Sequence, residues 1–243
     1  MQAMEEKKTG VILLAAGKGT RMHSRVQKQY MLLNGRPLLY YAAAAFEQSP
    51  VQDIILVTGE QEIDVCRRGI TEKYGFNKIK RIIPGGAERY HSVYEGLKEL
   101  QRLGYGKGDY VLIHDGARPL VDGEIIRRVM EDAYRYHACA AGMPSKDTIK
   151  QADRNGFAEN TPDRRFLWNI QTPQGFSFPL IMEAYEKMMS CEEYQQGVTD
   201  DAMVAERMAG CRVKLTEGAY QNMKVTTPED ITVAEALLHS RLS

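Results

Sequence analysis

A loop rich in glycine and basic residues follows the first apolar run of the chain, 10–16, and has the composition of a phosphate-binding loop. It reads Ala15-Ala-Gly-Lys-Gly-Thr-Arg-Met22 and matches neither the Walker A pattern nor the dinucleotide fingerprint. Backbone N–H groups at the carboxyl end of a strand can wrap around a phosphate, and the cations of the loop can offset its charge. A further cation, Lys28, follows in Gln27-Lys-Gln-Tyr30, close enough to converge on the same phosphates. The spacing therefore predicts a site for a phosphorylated ligand.

A sheet must position this loop, and the chain up to residue 143 has the pattern of a parallel one. Continuous apolar runs are typical of strands that are buried on both faces. Helical patterns lie between the runs, and this alternation indicates right-handed crossovers. We therefore expect an α/β fold: a Rossmann-like, mostly parallel sheet flanked by helices. The expected strands are 10–16, 54–57, 79–83, 110–113 and 138–143, and the expected helices are one from Pro37 through the alanines 42–45, then 60–74, 89–103 and 122–137.

The alternation breaks at Ser145, where a polar segment extends to about Trp168. Two short strand candidates, 146–151 and 156–161, flank an Asn-Gly pair, which indicates a hairpin. We expect residues 145–168 to form a β-arm that projects from a single domain, 1–243, and serves in dimerisation. Helices are expected again at 177–190, 199–209 and 227–242, with a strand near 212–216.

The composition narrows the class of function. Lys and Arg number 32, as do Asp and Glu, so the net charge is zero and gives no support for a nucleic-acid binder. No apolar run approaches the ~20 residues of a membrane helix, and the polar N-terminus lacks the apolar region of a signal peptide. The four cysteines are widely separated, which favours free thiols in a reducing cytoplasm over a disulfide framework or a zinc site. We expect a cytoplasmic protein that binds small molecules.

Several further motifs follow in order along the chain, and with the glycine-rich loop they resemble those of one family. From residue 11 to residue 230 they are similar to the motif series of the 2-C-methyl-D-erythritol 4-phosphate cytidylyltransferases, enzymes of the nucleotide-diphospho-sugar transferase type in the non-mevalonate isoprenoid pathway. Each motif alone is weakly specific, whereas the ordered set is strong. The motifs are Leu-Ala-Ala-Gly-x-Gly-x-Arg-Met (14–22), Lys28-Gln-Tyr30, Gly85-Gly-Ala-Glu-Arg89 with Ser92-Val93, His114-Asp-Gly-Ala-Arg-Pro119, Lys146-Asp-Thr-Ile149, Gln171-Thr-Pro-Gln174 and Asn222-Met-Lys-Val-Thr226.

The resemblance implies a reaction in which a phosphate oxygen of the polyol substrate attacks the α-phosphorus of CTP and expels pyrophosphate. Because the nucleophile is already an anion, the protein has to supply positioning and charge stabilisation, not a strong base. Mg²⁺ would be held mainly by the phosphates of CTP, so we assign no protein ligand to the metal. His114 is expected to be a packed, hydrogen-bonded residue, because the mechanism needs no imidazole.

The resemblance also assigns the site residues. Asp115 and Arg118 follow a predicted strand, where open α/β sheets place their ligands. The catalytic cations are Arg21 and Lys28, which stabilise the transition state, and Arg164 and Lys224, which hold the polyol phosphate. The CTP-binding residues are Ala15, Ala16, Gly17, Gly19, Arg21, Lys28, Gly85, Gly86, Ser92, Asp115 and Gly116, and the substrate-binding residues are Asp115, Arg118, Thr148, Arg164, Thr172 and Lys224. Arg164 is preferred over Arg165 because it aligns with the arginine of an Asp-Arg pair.

Two alternative functions stay open. A ribitol-5-phosphate cytidylyltransferase shares the CTP chemistry, but such enzymes more often carry Ala-Gly-Gly in the first loop, where this chain has Ala15-Ala-Gly17, and lack an aromatic residue like Trp168. A non-catalytic nucleotide-binding domain is disfavoured because the expected cations Arg21, Lys28, Arg118 and Lys224 are all present.

Overall fold

The structure is a computed structural model that describes residues 7–17 and 27–242. Among these residues, seven strands form one sheet, and two short hairpins lie outside it. The strands are β1 (Thr9–Leu14), β2 (Leu32–Leu33), β3 (Arg36–Pro37), β4 (Asp53–Thr58), β5 (Ile79–Pro84), β6 (Tyr110–Asp115), β7 (Ala138–Pro144), β8 (Gln151–Ala152), β9 (Ala158–Asn160), β10 (Trp168–Ser177) and β11 (Lys214–Glu217). The helices are α1 (Leu38–Glu47), α2 (Ile63–Cys66), α3 (Arg89–Arg102), α4 (Gly123–Tyr136), α5 (Phe178–Met189), α6 (Glu192–Gln195), α7 (Asp201–Ala209) and α8 (Pro228–Leu242).

The central sheet has the strand order β11-β7-β10-β6-β1-β4-β5. β1 pairs in parallel with both β4 and β6, and β4 pairs in parallel with β5. β10 alone runs antiparallel, between β6 and β7, while β11 is parallel to β7. The expected mostly parallel α/β sheet is therefore confirmed.

The sheet is covered by helices on both faces, which explains why its central strands are continuous apolar runs. Along β1, Val11 and Leu13 pack into the core under α1 and α4, whereas Ile12 packs into the opposite core under α3 and α5. α4 turns one apolar stripe to the sheet, as its helical spacing predicts, and its N-terminus is capped by the carboxylate of Asp122, which accepts from the N–H of Ile125 at 2.9 Å. No helix in the described ranges has both the length and the apolar character to cross a membrane.

The helix expected over 60–74 is continuous but irregular. It begins with a 3₁₀ turn (Glu60–Glu62), continues as α2 and then widens into a π-helical stretch (Arg67–Glu72). Outside the polar segment 145–168, the other expected elements are confirmed to within a few residues at their ends, including the C-terminal helix, α8.

The sequence pattern predicted neither β10 nor the shorter elements β2, β3 and α6, and of these only β10 belongs to the central sheet. The centre of β10 carries polar residues, Gln171, Thr172 and Gln174, and all three are buried within the sheet. The pairing of β10 with β7 is interrupted between Ile170 and Gln174, so this polar stretch is a local irregularity of the ladder. Because its pattern is neither a continuous apolar run nor a strict alternation, periodicity alone does not identify it as a central strand.

The segment between β7 and β10 forms a hairpin outside the main sheet. β8 and β9 pair antiparallel but are shorter than the two strands expected there. The turn is closed by Asp153, whose carboxylate accepts from the backbone N–H of Asn155 at 2.9 Å and of Phe157 at 2.8 Å. Every residue from 154 to 161 is exposed, so the hairpin contributes nothing to the core of its own chain.

Candidate active site

A cleft of about 610 Å³ opens at the carboxyl ends of β1 and β6, the position at which open α/β sheets bind ligands. The backbone just after β1 forms one wall, and the start of α3 forms another. The cleft is lined by Leu14, Ala15, Ala16, Gly17, Lys28, Gln29, Gly86, Ala87, Glu88, Arg89, Ser92, Asp115, Ala117 and Lys224. Three further residues of the glycine-rich loop, Lys18, Gly19 and Arg21, lie outside the described residues.

The glycine pair before α3 is required by close packing. A Cβ atom on Gly85 would lie 2.5 Å from the Cβ of Ala16 and 2.6 Å from the Oγ of Ser92, so no larger residue fits without a shift. The backbone N–H of Gly86 donates to the Oγ of Ser92 at 3.1 Å. Ser92 therefore holds Gly85 and Gly86 against the start of α3. The turn before α3 is therefore packed closely against Ala16 at this side of the cleft.

Gly116, expected from the sequence to bind CTP, does not line this cleft. Its N–H donates to the carbonyl oxygen of Leu14 at 2.8 Å, and a Cβ atom would lie 2.9 Å from the same oxygen. The absence of a side chain lets the end of β6 pack directly against the end of β1.

Lys28 lies in a 3₁₀ turn (Lys28–Tyr30) whose far end is anchored to the sheet. The hydroxyl of Tyr30 is 2.9 Å from the Oγ1 of Thr58 at the end of β4 and 2.8 Å from the Sγ of Cys66 in α2. Gln29 is buried beneath the turn. These contacts hold the turn at the rim of the cleft, with Lys28 among the lining residues.

A cluster of three charged side chains forms the floor of the cleft. Asp115 accepts from the Nε of Arg89 through Oδ1 at 3.1 Å and from the Nζ of Lys224 through Oδ2 at 2.7 Å. Burial acts to raise the pKa of the Asp115 carboxyl, but Arg89 and Lys224 outweigh it and hold that pKa well below its usual range. Asp115 is therefore an ionised group that fixes two cations in the cleft.

A second cleft, of about 310 Å³, adjoins the first and shares this charge cluster. Its remaining walls come from the loop after β6, the irregular stretch of β10 and the segment before α7. It is lined by Arg89, Asp115, Arg118, Ile170, Gln171, Thr172, Gln174, Thr199, Asp200 and Lys224. Two ligands bound in the two clefts would meet at Asp115 and Lys224.

Arg118 is held rigidly at the second cleft by backbone carbonyl groups. Its Nη1 donates to the carbonyl oxygen of Asn222 at 2.8 Å and its Nη2 to that of Ile170 at 3.4 Å. Burial lowers the pKa of the guanidinium, although Asp115 opposes this effect. Arg118 thus joins β10 to the segment that carries Lys224, and it places a fixed positive charge beside Asp115.

His114 is fully buried and hydrogen-bonded on both ring nitrogens, which confirms its interpretation as a packed residue. Its Nε2 is 3.2 Å from the carbonyl oxygen of Arg118, so this nitrogen carries the proton, and its Nδ1 accepts from the Oγ1 of Thr172 at 3.0 Å. The Thr172 oxygen in turn accepts from the N–H of Asp115 at 3.0 Å. Burial lowers the pKa of His114 to about 4, so the ring is neutral.

The arm residues do not reach the clefts of their own chain. Thr148 and Arg164 are exposed, and the Nη1 of Arg164 donates to the carbonyl oxygen of Lys146 at 3.1 Å. Arg165 forms an ion pair with Asp163 at 2.6 Å. Its charge is therefore already matched by a neighbouring carboxylate, whereas that of Arg164 is opposite a neutral carbonyl.

The structure thus brings together most of the residues expected at the site. Ala15, Ala16, Gly17, Lys28, Gly86, Ser92, Asp115 and Lys224 line the larger cleft, and Asp115, Arg118, Thr172 and Lys224 line the smaller one. The sequence analysis missed Arg89, although it lies within the Gly85–Arg89 motif, and also Gln174, Thr199 and Asp200. The dipeptide Asp200-Asp201 has the pattern of an ordinary helix cap, and nothing local to it indicates a cleft.

Comparisons with known proteins agree with this geometry. The family model described as IspD, 2-C-methyl-D-erythritol 4-phosphate cytidylyltransferase, matches residues 9–240. Enzymes of that name from Lachnoclostridium phytofermentans and Lachnospira eligens are 45% and 48% identical to the chain; the alignments cover 96% and 93% of the chain and 97% of each relative. The crystal structure of 4-diphosphocytidyl-2C-methyl-D-erythritol synthase from Anaerococcus prevotii superposes with a TM-score of 0.82 at 34% identity and covers 96% of both chains. That of the Francisella tularensis cytidylyltransferase gives 0.78 at 27% identity, over 95% of this chain and 99% of the other.

Proposed function

The chain belongs to the 2-C-methyl-D-erythritol 4-phosphate cytidylyltransferase family, and we propose that it transfers CMP from CTP to 2-C-methyl-D-erythritol 4-phosphate with release of pyrophosphate. The observation that carries this proposal is the pair of adjoining clefts that share Asp115 and Lys224. A transfer between two bound phosphates requires such a junction, whereas a protein that only binds a nucleotide has no use for a second polar cleft.

CTP occupies the larger cleft in this proposal. The cytosine ring lies against the wall formed by Ala16, Gly86 and Ser92, and the triphosphate extends toward the backbone of the loop after β1. Lys28, at the rim of the same cleft, meets the phosphates there. Arg21 completes the cation set by family resemblance and, with Lys28, stabilises the charge that gathers on the α-phosphate and the leaving pyrophosphate.

The polyol phosphate occupies the smaller cleft. Its phosphate group pairs with Lys224 and Arg118, and its hydroxyls meet Thr172 and the carboxylate of Asp115. One phosphate oxygen forms a bond to the α-phosphorus of CTP, and the bond from that phosphorus to the bridging oxygen of the pyrophosphate breaks. The electron pair leaves with the pyrophosphate, and no proton has to move.

Lys224 is the residue that both substrates share. Its ammonium is held by one oxygen of Asp115 at 2.7 Å, and its side chain is still 39% exposed at the junction of the clefts. A cation fixed at this point attracts two phosphate anions toward each other and offsets their repulsion before the bond forms.

The donor set suits a magnesium ion that is bound through the nucleotide. The described residues contain no group of three or more His, Cys, Asp or Glu side chains arranged to hold a metal. Mg²⁺ commonly retains several waters and binds through substrate phosphates, so a site of this kind needs no protein cage, and we assign no protein ligand. When bound, the ion would neutralise part of the phosphate charge.

The arm, residues 145–168, is proposed to join two copies of the chain into a homodimer. It exposes two large apolar rings, Phe157 and Phe166, which are 73% and 78% accessible in the single chain. Burial of these rings against a second copy favours association. In the dimer, Thr148 and Arg164 would serve the site of the neighbouring chain.

We also propose that the chain, as one domain over 1–243, works in the cytoplasm. All four cysteines are free thiols, and two of them, Cys66 and Cys139, are buried. Such thiols are typical of proteins in reducing compartments.

The test of the proposed function is pyrophosphate release from CTP and Mg²⁺, with 2-C-methyl-D-erythritol 4-phosphate and ribitol 5-phosphate offered separately. Release with the methylerythritol substrate alone is expected. Release with ribitol 5-phosphate alone would keep the chemistry and reassign the substrate. Tight binding of CTP without release from either polyol phosphate would indicate the non-catalytic alternative.

A further inference from the structure

A fully buried carboxylate, Asp201, lies behind the charge cluster that joins the two clefts. Its two oxygens accept from the Nη1 and Nη2 of Arg89 at 2.9 and 2.7 Å, and its Oδ1 also accepts from the hydroxyl of Tyr185 at 2.6 Å. The Nε of the same arginine donates to Asp115. One continuous chain of hydrogen bonds therefore runs from Tyr185 through Asp201, Arg89 and Asp115 to Lys224.

This arrangement fixes the arginine in two directions at once. The two-pronged contact with Asp201 sets both the position and the plane of the guanidinium, because parallel N–H groups match the two oxygens of a carboxylate. A buried ion pair contributes little net stability, since the cost of removing both charges from water offsets their attraction. The main effect of the contact with Asp201 is therefore on geometry. The Nε of Arg89 contacts one oxygen of Asp115, and the other oxygen faces Lys224.

We propose that Arg89 and Asp201 are positioning residues of the transfer reaction, which hold Asp115 so that Lys224 stands at the junction of the two clefts. Asp201 orients Arg89, Arg89 holds Oδ1 of Asp115, and Oδ2 of Asp115 holds the ammonium of Lys224. Asp201 is fully buried and lines neither cleft, and Arg89, which lines both, acts here through Asp115. This inference rests on the proposed function, in which Lys224 is the cation that both substrates share.

The charge of Arg89 has a second effect, on the ionisation of Asp115. The charged or titratable groups that face Asp115 are Arg89 from α3, Lys224 from the segment after β11, Arg118 from the loop after β6 and the neighbouring His114. Burial favours the protonated carboxyl, and Arg89 is the foremost of the charges that oppose it. Without Arg89, the pKa of Asp115 rises, and a protonated carboxyl no longer pairs with Lys224 as an anion.

The experiment compares two variants with the wild type in the pyrophosphate assay across a range of pH. Asp201→Asn keeps an acceptor for Tyr185 but loses the charge that orients Arg89. The double variant Arg89→Met with Asp201→Asn removes both charges, so it leaves no unpaired buried ion and is expected to fold. Asp53→Asn is the matched control, because Asp53 also accepts from a buried tyrosine, Tyr105, at 2.9 Å but lies away from both clefts.

Asp201→Asn is expected to lower kcat by ~10- to 10²-fold with little change in the KM for CTP, because a small displacement of Lys224 misaligns the phosphates. The double variant is expected to lose activity at a higher pH than the wild type as the solution is acidified. The phosphate group of the polyol substrate has the same pKa in both assays. A difference in the pH at which activity is lost therefore reports the ionisation of Asp115. The Asp53→Asn control should keep wild-type kcat and pH dependence.

Folded variants that keep the wild-type kcat and the wild-type pH profile would overturn the proposal. So would a loss of kcat that the Asp53→Asn control shares, or a loss in the double variant without a shift of its acid limb. Failure of the proposed function is a separate outcome, because the wild type itself would then release no pyrophosphate from CTP and the methylerythritol substrate.

Discussion

The two clefts are built in different ways, although they share Asp115 and Lys224. Small residues in two short segments, the loop after β1 and the turn before α3, supply much of the larger cleft, and both segments follow directly from parallel strands. The smaller cleft consists mainly of polar side chains from β10, the loop after β6 and the segment before α7, which are far apart in the sequence. The larger cleft, which we propose binds the nucleotide, is therefore built from local motifs of the fold, whereas the smaller cleft, proposed for the second substrate, is assembled only when the chain folds.

This difference in construction suggests that one cleft recognises its ligand by general features and the other by specific ones. Backbone N–H groups and a Gly-Gly wall recognise features that many nucleotides share, namely a planar base and a row of phosphates. Fixed amide, hydroxyl and guanidinium groups such as those of Gln174, Thr172 and Arg118, which line the smaller cleft, are suited to discriminate among the hydroxyls of polyols. Substrate choice is therefore expected to depend on the smaller cleft, and nucleotide binding on the larger one.

Lys28→Ala tests the larger cleft and is expected to have the largest effect. In the proposed mechanism Lys28 is a preorganised cation for the α-phosphate, and its loss should lower kcat by ~10²–10³-fold, because the charge of the transition state is then unmatched. The KM for the polyol phosphate should change little, since Lys28 does not line the smaller cleft. The measurement is steady-state pyrophosphate release, with circular dichroism to establish that the variant is folded.

The matched control is Lys98→Ala, which removes a lysine of α3 that pairs with Glu95, lies over the ring of Tyr94 and lines neither cleft. Its kcat should equal that of the wild type. A folded Lys28→Ala with near-normal kcat would remove Lys28 from the mechanism.

Arg164→Ala tests whether the smaller cleft is completed by a second chain. If the arm arginine serves the neighbouring site, Arg164→Ala lowers kcat by ~10²-fold on its own through lost positioning of the polyol phosphate. Mixing it with inactive Lys28→Ala chains then restores activity. Random reassociation gives half mixed dimers, each with one intact site, so about a quarter of the wild-type activity should return.

The measurement is kcat after the two variants are unfolded and refolded together, compared with each variant refolded alone. Arg165→Ala is the matched control for the arm, because Arg165 is already paired with Asp163; its activity should stay close to that of the wild type. Absence of recovery in proven mixed dimers, or a fully active monomer, would place Arg164 outside the neighbouring site.

The sequence predicts the larger cleft well because most of its parts are short runs of consecutive residues. The apolar run before Ala15, the glycines 85 and 86 and the strand before Asp115 each predict a local structure, and parallel pairing brings their ends to one edge of the sheet. Arg89 escaped assignment although its motif was recognised, since the pairing with Asp201 joins residues 112 positions apart. Spacing along the chain carries no information about that contact.

The smaller cleft was predicted only in part, for a physical reason that is visible in β10. Gln171 and Gln174 are buried polar residues in the middle of a sheet, and their burial depends on partners from other elements: Ala219 and Asn222 for the first, Asp200 and the N–H of Ala202 for the second. Binary patterning assigns polar residues to the surface, so it cannot predict a central strand that is stabilised by its own hydrogen-bond network.

Gly85→Ala tests whether the larger cleft can be altered without the smaller one, and its expected effect is smaller than that of the preceding variants. The added Cβ would lie 2.5 Å from the Cβ of Ala16 and 2.6 Å from the Oγ of Ser92, so the wall against which the base packs must shift. The KM for CTP is expected to rise ~10-fold, the lower end of the cost of overpacking, while the KM for the polyol phosphate stays constant. An equal rise in both KM values would show that the two clefts are not independent.

Gly69→Ala provides the control, because a Cβ at Gly69 meets no atom within 4 Å and the residue lies in the π-helical stretch away from both clefts. Steady-state kinetics with each substrate varied in turn provide both KM values.

His114→Gln should have the smallest effect on turnover, but it tests how the smaller cleft is joined to the sheet. Burial lowers the pKa of His114 from 6.5 to about 4, so between these values the unfolded chain takes up a proton that the folded chain does not. This residue therefore lowers the free energy of unfolding as the pH falls from 6.5 toward 4, and its contribution is constant above that window. Glutamine can still donate to the Arg118 carbonyl and accept from Thr172, but it does not titrate.

The variant is therefore expected to lose less stability than the wild type on acidification through this window, while its kcat at neutral pH stays within a few-fold. Urea unfolding at several pH values measures the difference directly. Identical pH dependence of the two unfolding free energies would mean that the folded protein protonates His114 as readily as the unfolded chain does. The link from β6 through His114 and Thr172 to β10 would then be too loose to position the smaller cleft.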